Sequence, residues 1–445
     1  MYKSTLAIAV AAGVLAQTAG AAGFIDDSKV SVSSRTMYFD NDNRDGGTDQ
    51  REWAQGFKLD ALSGFTEGTV GFGVDVQAIT GIHLDGGRGS RGGNPNTTAR
   101  FNNGNSFFPS DTDGSAEHTF SRIGGNVKAR FSKTEVHVGS ALAPSLPILV
   151  SNDGRLLPQT FDGGVLTSKE IDNVTLAAGQ IEHAYGRASS NRTGLGVNGG
   201  TLESNKFRFV GGDWKVTKDL TLQYYYANLE DYYKQHFGGL VHVLPISDGQ
   251  SFKTDLRVFK SSSDGKNGDV GYRFNNNSGY AKNPGEVDNT TWSAAFTYSL
   301  GGHAIMLGHQ QVSDDGGMVF VNQGSIAGEN GGGASVYLLT DVMANSFTRA
   351  GENTTFGQYS YDFAKAGIPG LKASATYLYG KNATLASGAE FNEWERDVRI
   401  DYVIQSGVLK GLGTSLRQGT YRPSATSLAD VDQTRLIFNY TYAFK

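Results

Sequence analysis

The chain ends on RLIFNYTYAFK, residues 435–445. Leu436, Phe438, Tyr440, Tyr442 and Phe444 take every second position, with Arg435, Asn439 and Thr441 between them. A period of two marks a strand, because successive side chains of extended backbone point to opposite faces. One face of this last strand is apolar and aromatic. The other carries a guanidinium, an amide and a hydroxyl. What lies against each face decides the fold.

The pattern recurs upstream in segments of about ten residues separated by Gly/Asn/Asp-rich turns. Clear cases are VSVSSRTMYF (30–39), TVGFGVDVQAI (69–79), RIGGNVKARF (122–131), DLTLQYYYANL (219–229), TTFGQYSYDF (354–363) and DVRIDYVI (397–404). With weaker segments the count is roughly 18. Connections alternate in length: short ones such as FSKTE (131–135) and LGGH (300–303), and long polar ones at 80–119, 182–204, 261–288 and 313–334. Short turns at one rim and long loops at the other are the signature of an outer-membrane barrel. The fold expected is therefore all-β, a transmembrane antiparallel barrel of about 18 strands with long extracellular loops.

Composition agrees. There are 60 glycines, 25 phenylalanines and 20 tyrosines against 9 prolines, and no cysteine. An exported chain without cysteine is not a disulfide-stapled module and has no thiolate metal site. A formal charge of −5 gives no reason to expect a nucleic-acid partner. Residues 1–21, with Lys3, the apolar run Leu6–Ala16 and the small residues Ala19-Gly20-Ala21, read as a secretory leader. That leaves 22–445 as one barrel pore domain. In such a barrel the apolar parity meets lipid, aromatic residues gather at the interfaces, and the polar parity lines the lumen.

Assigning apolar residues outward places a set of cations inward. Arg35 opposes Val30, Val32 and Tyr38; Arg122, Lys128 and Arg130 oppose Ile123, Val127, Ala129 and Phe131. Arg208 opposes Phe207 and Phe209, Arg257 opposes Leu256 and Val258, and Arg399 opposes Val398 and Ile400. Arg417 opposes Leu416, and Arg435 opposes Leu436 and Phe438. Closure brings the first and last strands together, so Arg35, Arg399, Arg417 and Arg435 would share one patch of wall. Guanidinium groups grip carboxylates bidentately, and a narrow pore screens their field little.

REWAQGF (51–57), SGFTEGTVGFGVD (63–75), SKTEVHVG (132–139), RLLPQTF (155–161), LTSKEID (166–172), TRAGE (348–352) and WERD (394–397), in this order, resemble the OprD-like family of outer-membrane carboxylate channels of pseudomonads. The resemblance implies 18 strands, an inward-folded constriction loop and a basic ladder guiding small carboxylates. It places Arg35, Arg399 and Arg417 on the ladder, Arg130 in its K-x-R segment, and Arg155 in the constriction loop near Pro144, Pro147 and Pro158. Asp162 and Asp288 are the acidic residues offered as partners opposite the ladder.

Other motifs carry no chemistry. GLGVNG (194–199) spells a dinucleotide fingerprint but has no βα context and reads as a flexible external loop. DNDNRDG (40–46) has its glycine at the wrong offset for a calcium loop, leaving only opportunistic cation binding. No nucleophile is paired with a base, so no enzyme activity, cofactor or metal is expected. The function expected is facilitated diffusion of small anionic, carboxylate-bearing solutes; the alternative is a general diffusion porin. Partners are outer-membrane lipid and, through the C-terminal strand, the barrel-assembly machinery, with weak homotrimer formation left open. Lys445 departs from the family's usual aromatic terminus.

Overall fold

The alternating segments become strands that pair with their neighbours in sequence. The structure, a computed structural model, describes residues 22–44, 49–87, 106–111, 115–276, 279–329 and 332–444. The leader expected over 1–21, the end of the DNDNRDG stretch and Lys445 lie outside the described residues.

Among the described residues, eighteen strands of nine residues or more form the wall. They are β1 Lys29–Asn43, β2 Gln50–Leu62, β3 Val70–Gly86, β4 Thr119–Phe131, β5 Thr134–Leu142, β6 Thr160–Ser168, β7 Val174–Tyr185, β8 Phe207–Lys215 and β9 Leu220–Leu229. The second half is β10 Tyr233–Ser247, β11 Gln250–Ser263, β12 Asp288–Leu300, β13 His303–Val312, β14 Asn353–Asp362, β15 Leu371–Thr384, β16 Glu390–Val403, β17 Gly413–Pro423 and β18 Val431–Ala443. Each is antiparallel to the next, and β18 returns to β1 from Ser31↔Ala443 to Asn43↔Val431. Closure leaves no unpaired edge, which hydrocarbon would not tolerate.

Outward residues are large, apolar and exposed. Leu307, midway along β13, is 64% exposed. Trp53, Trp292, Tyr379 and Trp394 flank this band towards the loop rim, and Trp214, Tyr298, Tyr361, Tyr402 and Tyr442 towards the short-turn rim. These are the two interfacial girdles of a membrane barrel. The loop rim is less uniform than the sequence suggests. Four of its connections, β1–β2, β9–β10, β15–β16 and β17–β18, are short, and β3 continues to Gly86 before its long loop begins.

The inner face departs most from expectation. The β5–β6, β7–β8, β11–β12 and β13–β14 loops fold inward and bury an apolar core inside one half of the barrel. There Ile148, Leu149, Leu195, Val197, Phe274, Val319 and Val321 pack against the inward Ile181, Phe207, Phe209, Phe237 and Phe259. Each such side chain contributes about 1.5–3 kcal/mol of transfer free energy. GLGVNG is therefore not a flexible external loop: Leu195 and Val197 are fully buried. The reversal also turns Arg208 around. Phe207 and Phe209 face the plug, so Arg208 faces outward beside the exposed Val210, bonding Gln180 at 2.9 Å.

Candidate functional site

The site is the half of the lumen that the apolar plug leaves open, bounded by β14–β18 and β1. Three arginines meet there in register: Arg399 of β16 faces Arg417 of β17, which faces Arg435 of β18. Adjacent strands lie about 4.8 Å apart, so this row is as dense as a sheet permits. Like charges set side by side in a sheet repel; here Asp401 takes Arg399 at 2.6 Å, and Arg435 donates to the Gln433 amide oxygen and to the Met343 carbonyl of the β13–β14 loop, both at 2.8 Å. Arg435 continues it across Phe39 of β1, over whose ring its guanidinium sits at 5.8 Å. Arg155, from the β5–β6 loop, stacks on the same ring at 4.4 Å and bonds the Ser106 hydroxyl.

Arg187 of the β7–β8 loop extends the row towards the loop rim. It lies within electrostatic reach of Arg155 and Arg435, as Arg417 does of Arg399 and Arg35. Confinement in the lumen pulls the Arg187 guanidinium down to about 10, still charged at neutral pH. Arg155 is likewise held well below its ordinary value by confinement and by its cationic neighbours. The guanidinium groups from Arg187 to Arg399 thus follow one another along the wall with acids among them, Asp341 beside Arg187 and Arg435, and Asp401 on Arg399 at 2.6 Å.

Arg35 has a different task. Its guanidinium grips both Asp153 carboxylate oxygens, at 2.8 and 3.0 Å, and donates to the Arg155 carbonyl at 2.6 Å. It clamps the constriction loop to the wall. The loop approaches closely because Gly56, paired with Arg35, has no Cβ; one would stand 3.1 Å from Leu156 and Leu157. Beneath it a cavity of ≈ 460 Å³ opens between Arg35, Lys58, Asn439 and the loop. A second, of ≈ 280 Å³, lies against Arg399, Arg417 and the hydroxyls of Ser360, Ser374 and Thr376.

The remaining expected lining residues separate by place. Arg122 is inward but occupied, donating to the carbonyls of Pro158, Gly186 (2.7 Å) and Ser189 (3.2 Å). Lys128 is buried against Asp75 and the Ser63 carbonyl, both at 2.6 Å, and does not face open lumen. Arg130 stacks over Phe65 at 4.3 Å near the short-turn mouth. Arg257 docks the β13–β14 loop through the Tyr337 carbonyl and ring. Asp288 is not opposite the row: it stands at the loop end of β12, on the outward parity of Trp292. Asp162 pairs with Arg192 at 2.6 Å.

Acids that the sequence reading missed hold the β13–β14 loop in place. Glu395 accepts the backbone N–H groups of Met343, Ala344 and Asn345, at 3.1, 3.0 and 2.8 Å. Glu393 takes Arg349 at 3.0 Å and the Tyr421 hydroxyl. The turn so pinned presents Asp341 beside the row. Confinement raises its carboxyl above the usual range against the pull of Arg435 and Arg187. No sequence signal marks Arg187 or Asp341, because both sit in stretches that read as outside loops.

The profile described as OprD, outer membrane porin, OprD family, matches residues 22–444. Porin D of Pseudomonas aeruginosa is 31% identical over 464 residues, covering 99% of this chain and 98% of that protein. The crystal structure of Pseudomonas aeruginosa OccK8 (OprE) superposes with a TM-score of 0.84 at 43% identity, covering 95% of this chain and 100% of that one. Pseudomonas aeruginosa OpdK, crystallised with vanillate, gives a TM-score of 0.82 at 32% identity with the same coverage, 95% and 100%.

Proposed function

This chain belongs to the OprD family of outer membrane porins, and on that premise we propose that its pore prefers small carboxylate-bearing solutes to neutral ones of the same size. The coarser statement stands without the proposal: it is a Gram-negative outer-membrane channel for small solutes, with lipid on its outer wall. The loop rim is then extracellular and the short-turn rim periplasmic.

The observation that carries the preference is the register Arg399↔Arg417↔Arg435, prolonged by Arg155 and Arg187. Guanidinium groups at that spacing offer a carboxylate a bidentate partner at successive depths. The narrow lumen focuses their field, so anions are concentrated at the constriction and hydrated cations are not. A relative's crystals hold vanillate, a ring bearing a carboxylate, which fits a slot between an apolar plug and a basic wall. We read the chain as a passive channel without catalysis. The aromatic C-terminal strand is the segment offered to the barrel-assembly machinery. One barrel suffices for transport, whether or not three associate.

Bilayer reconstitution tests this. Arg399→Ala with Arg417→Ala is expected to shift the reversal potential in a salt gradient towards cations and to lower carboxylate flux by on the order of 3- to 10-fold. Equal liposome swelling by a neutral sugar and a carboxylate of one size, in the wild type, would establish a general diffusion porin instead.

A further inference from the structure

Arg208 was expected in the pore and stands outside it, and its surroundings give it a partner. The outward faces of β8–β11 carry Arg208, Lys234, His236 and Lys260 within two or three residues of the extracellular strand ends. Cross-strand register ties them together: Arg208↔Asn228↔Lys234 in one row, Tyr226↔His236↔Lys260 in the next. Immediately below, towards the membrane, come Tyr224, 56% exposed, and Trp292. The Tyr224 hydroxyl and His236 Nδ1 are 2.9 Å apart. Cations just beyond an aromatic girdle lie at headgroup depth of the outer leaflet.

Their pairing is incomplete. Lys234 meets Asp264 at 2.8 Å, and Asp288 stands across from Ser262 on the neighbouring strand. Among the described residues neither Arg208 nor Lys260 meets a carboxylate; Arg208 has only the Gln180 amide oxygen. Asp288 stands diagonal to Lys260 and Glu182 bonds the Gln180 amide at 3.0 Å, yet neither closes an ion pair with Arg208 or Lys260. Two exposed cations in no ion pair, over a ring-lined apolar wall, complement a molecule with phosphates above and acyl chains below. Guanidinium and ammonium groups bind phosphate by short charge-assisted hydrogen bonds.

We propose that this outward patch docks a phosphorylated glycolipid of the outer leaflet, with Arg208 and Lys260 on its phosphates, His236 beside them, and Tyr224 and Trp292 against its chains. The phosphate held is the lipid's own, not a free anion.

Native mass spectrometry of the full protein in mild detergent, offered phosphorylated or dephosphorylated lipid A, decides it. The phosphorylated form should be retained on the order of tenfold better, and Arg208→Gln with Lys260→Gln should remove that difference. Lys381→Gln, exposed near the loop end of β15 and outside the patch, should leave it intact. Equal retention of the two lipids by the wild type overturns the proposal, as does an unaffected double variant or an equal loss in Lys381→Gln. Displacement by millimolar inorganic phosphate would reassign the patch to a free anion. Heat-modifiable gel migration verifies that the variants fold, and the wild-type comparison needs no variant.

Discussion

Two side chains on the open wall differ in what they do despite their proximity. Arg35 spends its guanidinium on the constriction loop, whereas Arg417 donates only to the Ser415 hydroxyl at 3.1 Å. Arg35→Ala should therefore act on geometry. Since Asp153 is half exposed, the lost pair is worth only ~1 kcal/mol, so the barrel should fold but its open-channel current should become noisier, with anion selectivity little changed. Selectivity falling as far as in the Arg417→Ala variant would show that Arg35 works as a rung. Asp341 gives a titration. Its carboxyl is raised by confinement, so it loses its charge at a pH above the ordinary 3.8. Ionised, it offsets the adjacent Arg435 and Arg187; neutral, it does not. Anion selectivity should then rise as pH falls through that raised value, and Asp341→Asn should hold the high-selectivity state at neutral pH. Reversal potentials across a pH series read both.

At the scale of elements, a few inward side chains of the wall tie the loops down. Arg122 ties β4 both to the β5–β6 loop at Pro158 and to the β7–β8 loop at Gly186 and Ser189. Arg122→Ala leaves buried carbonyls unanswered, at about 1–3 kcal/mol, and should enlarge single-channel conductance while the wall still forms. Unchanged conductance would deny the anchor. Loops also account for what the sequence reading reached and where it failed. On β16 to β18 the arginines oppose lipid-facing Val398, Ile400, Leu416, Leu436 and Phe438, so parity turned them inward, and the pairing of consecutive strands set them side by side. The same rule reversed Arg208. Parity sorts residues only into two faces, and an apolar plug makes the inner face of β8 the greasier one. The plug itself was hidden: Leu195 and Val197 lie among glycines and polar residues that read as outside loop. Arg187 and Asp341 were missed for the same reason, since no period of two extends into a loop. Asp288 was offered only through the resemblance, with no period behind it; at the loop end of β12 it takes the outward parity while its neighbour Val287 packs inward.

For the whole molecule, the outer wall has a bilayer as its solvent. Leu307→Arg, at the centre of the apolar band, should destabilise the barrel by ~2–4 kcal/mol, measured by urea unfolding in lipid vesicles; a negligible loss would mean that this face is shielded by protein. Inside, the arginine row runs along the hydrogen-bonding direction, and strands in such barrels tilt by roughly 40°. Each rung is therefore offset by about 3 Å along the pore axis from the next, given strands about 4.8 Å apart. That offset is shorter than the reach of one guanidinium. On the carboxylate preference proposed above, a permeating anion would hold the next rung before it releases the last, so its passage would be a relay of exchanged contacts instead of repeated capture and escape. The free-energy profile would then be a shallow ripple that ends at Arg399, whose guanidinium the permeating anion would share with Asp401, 2.6 Å away.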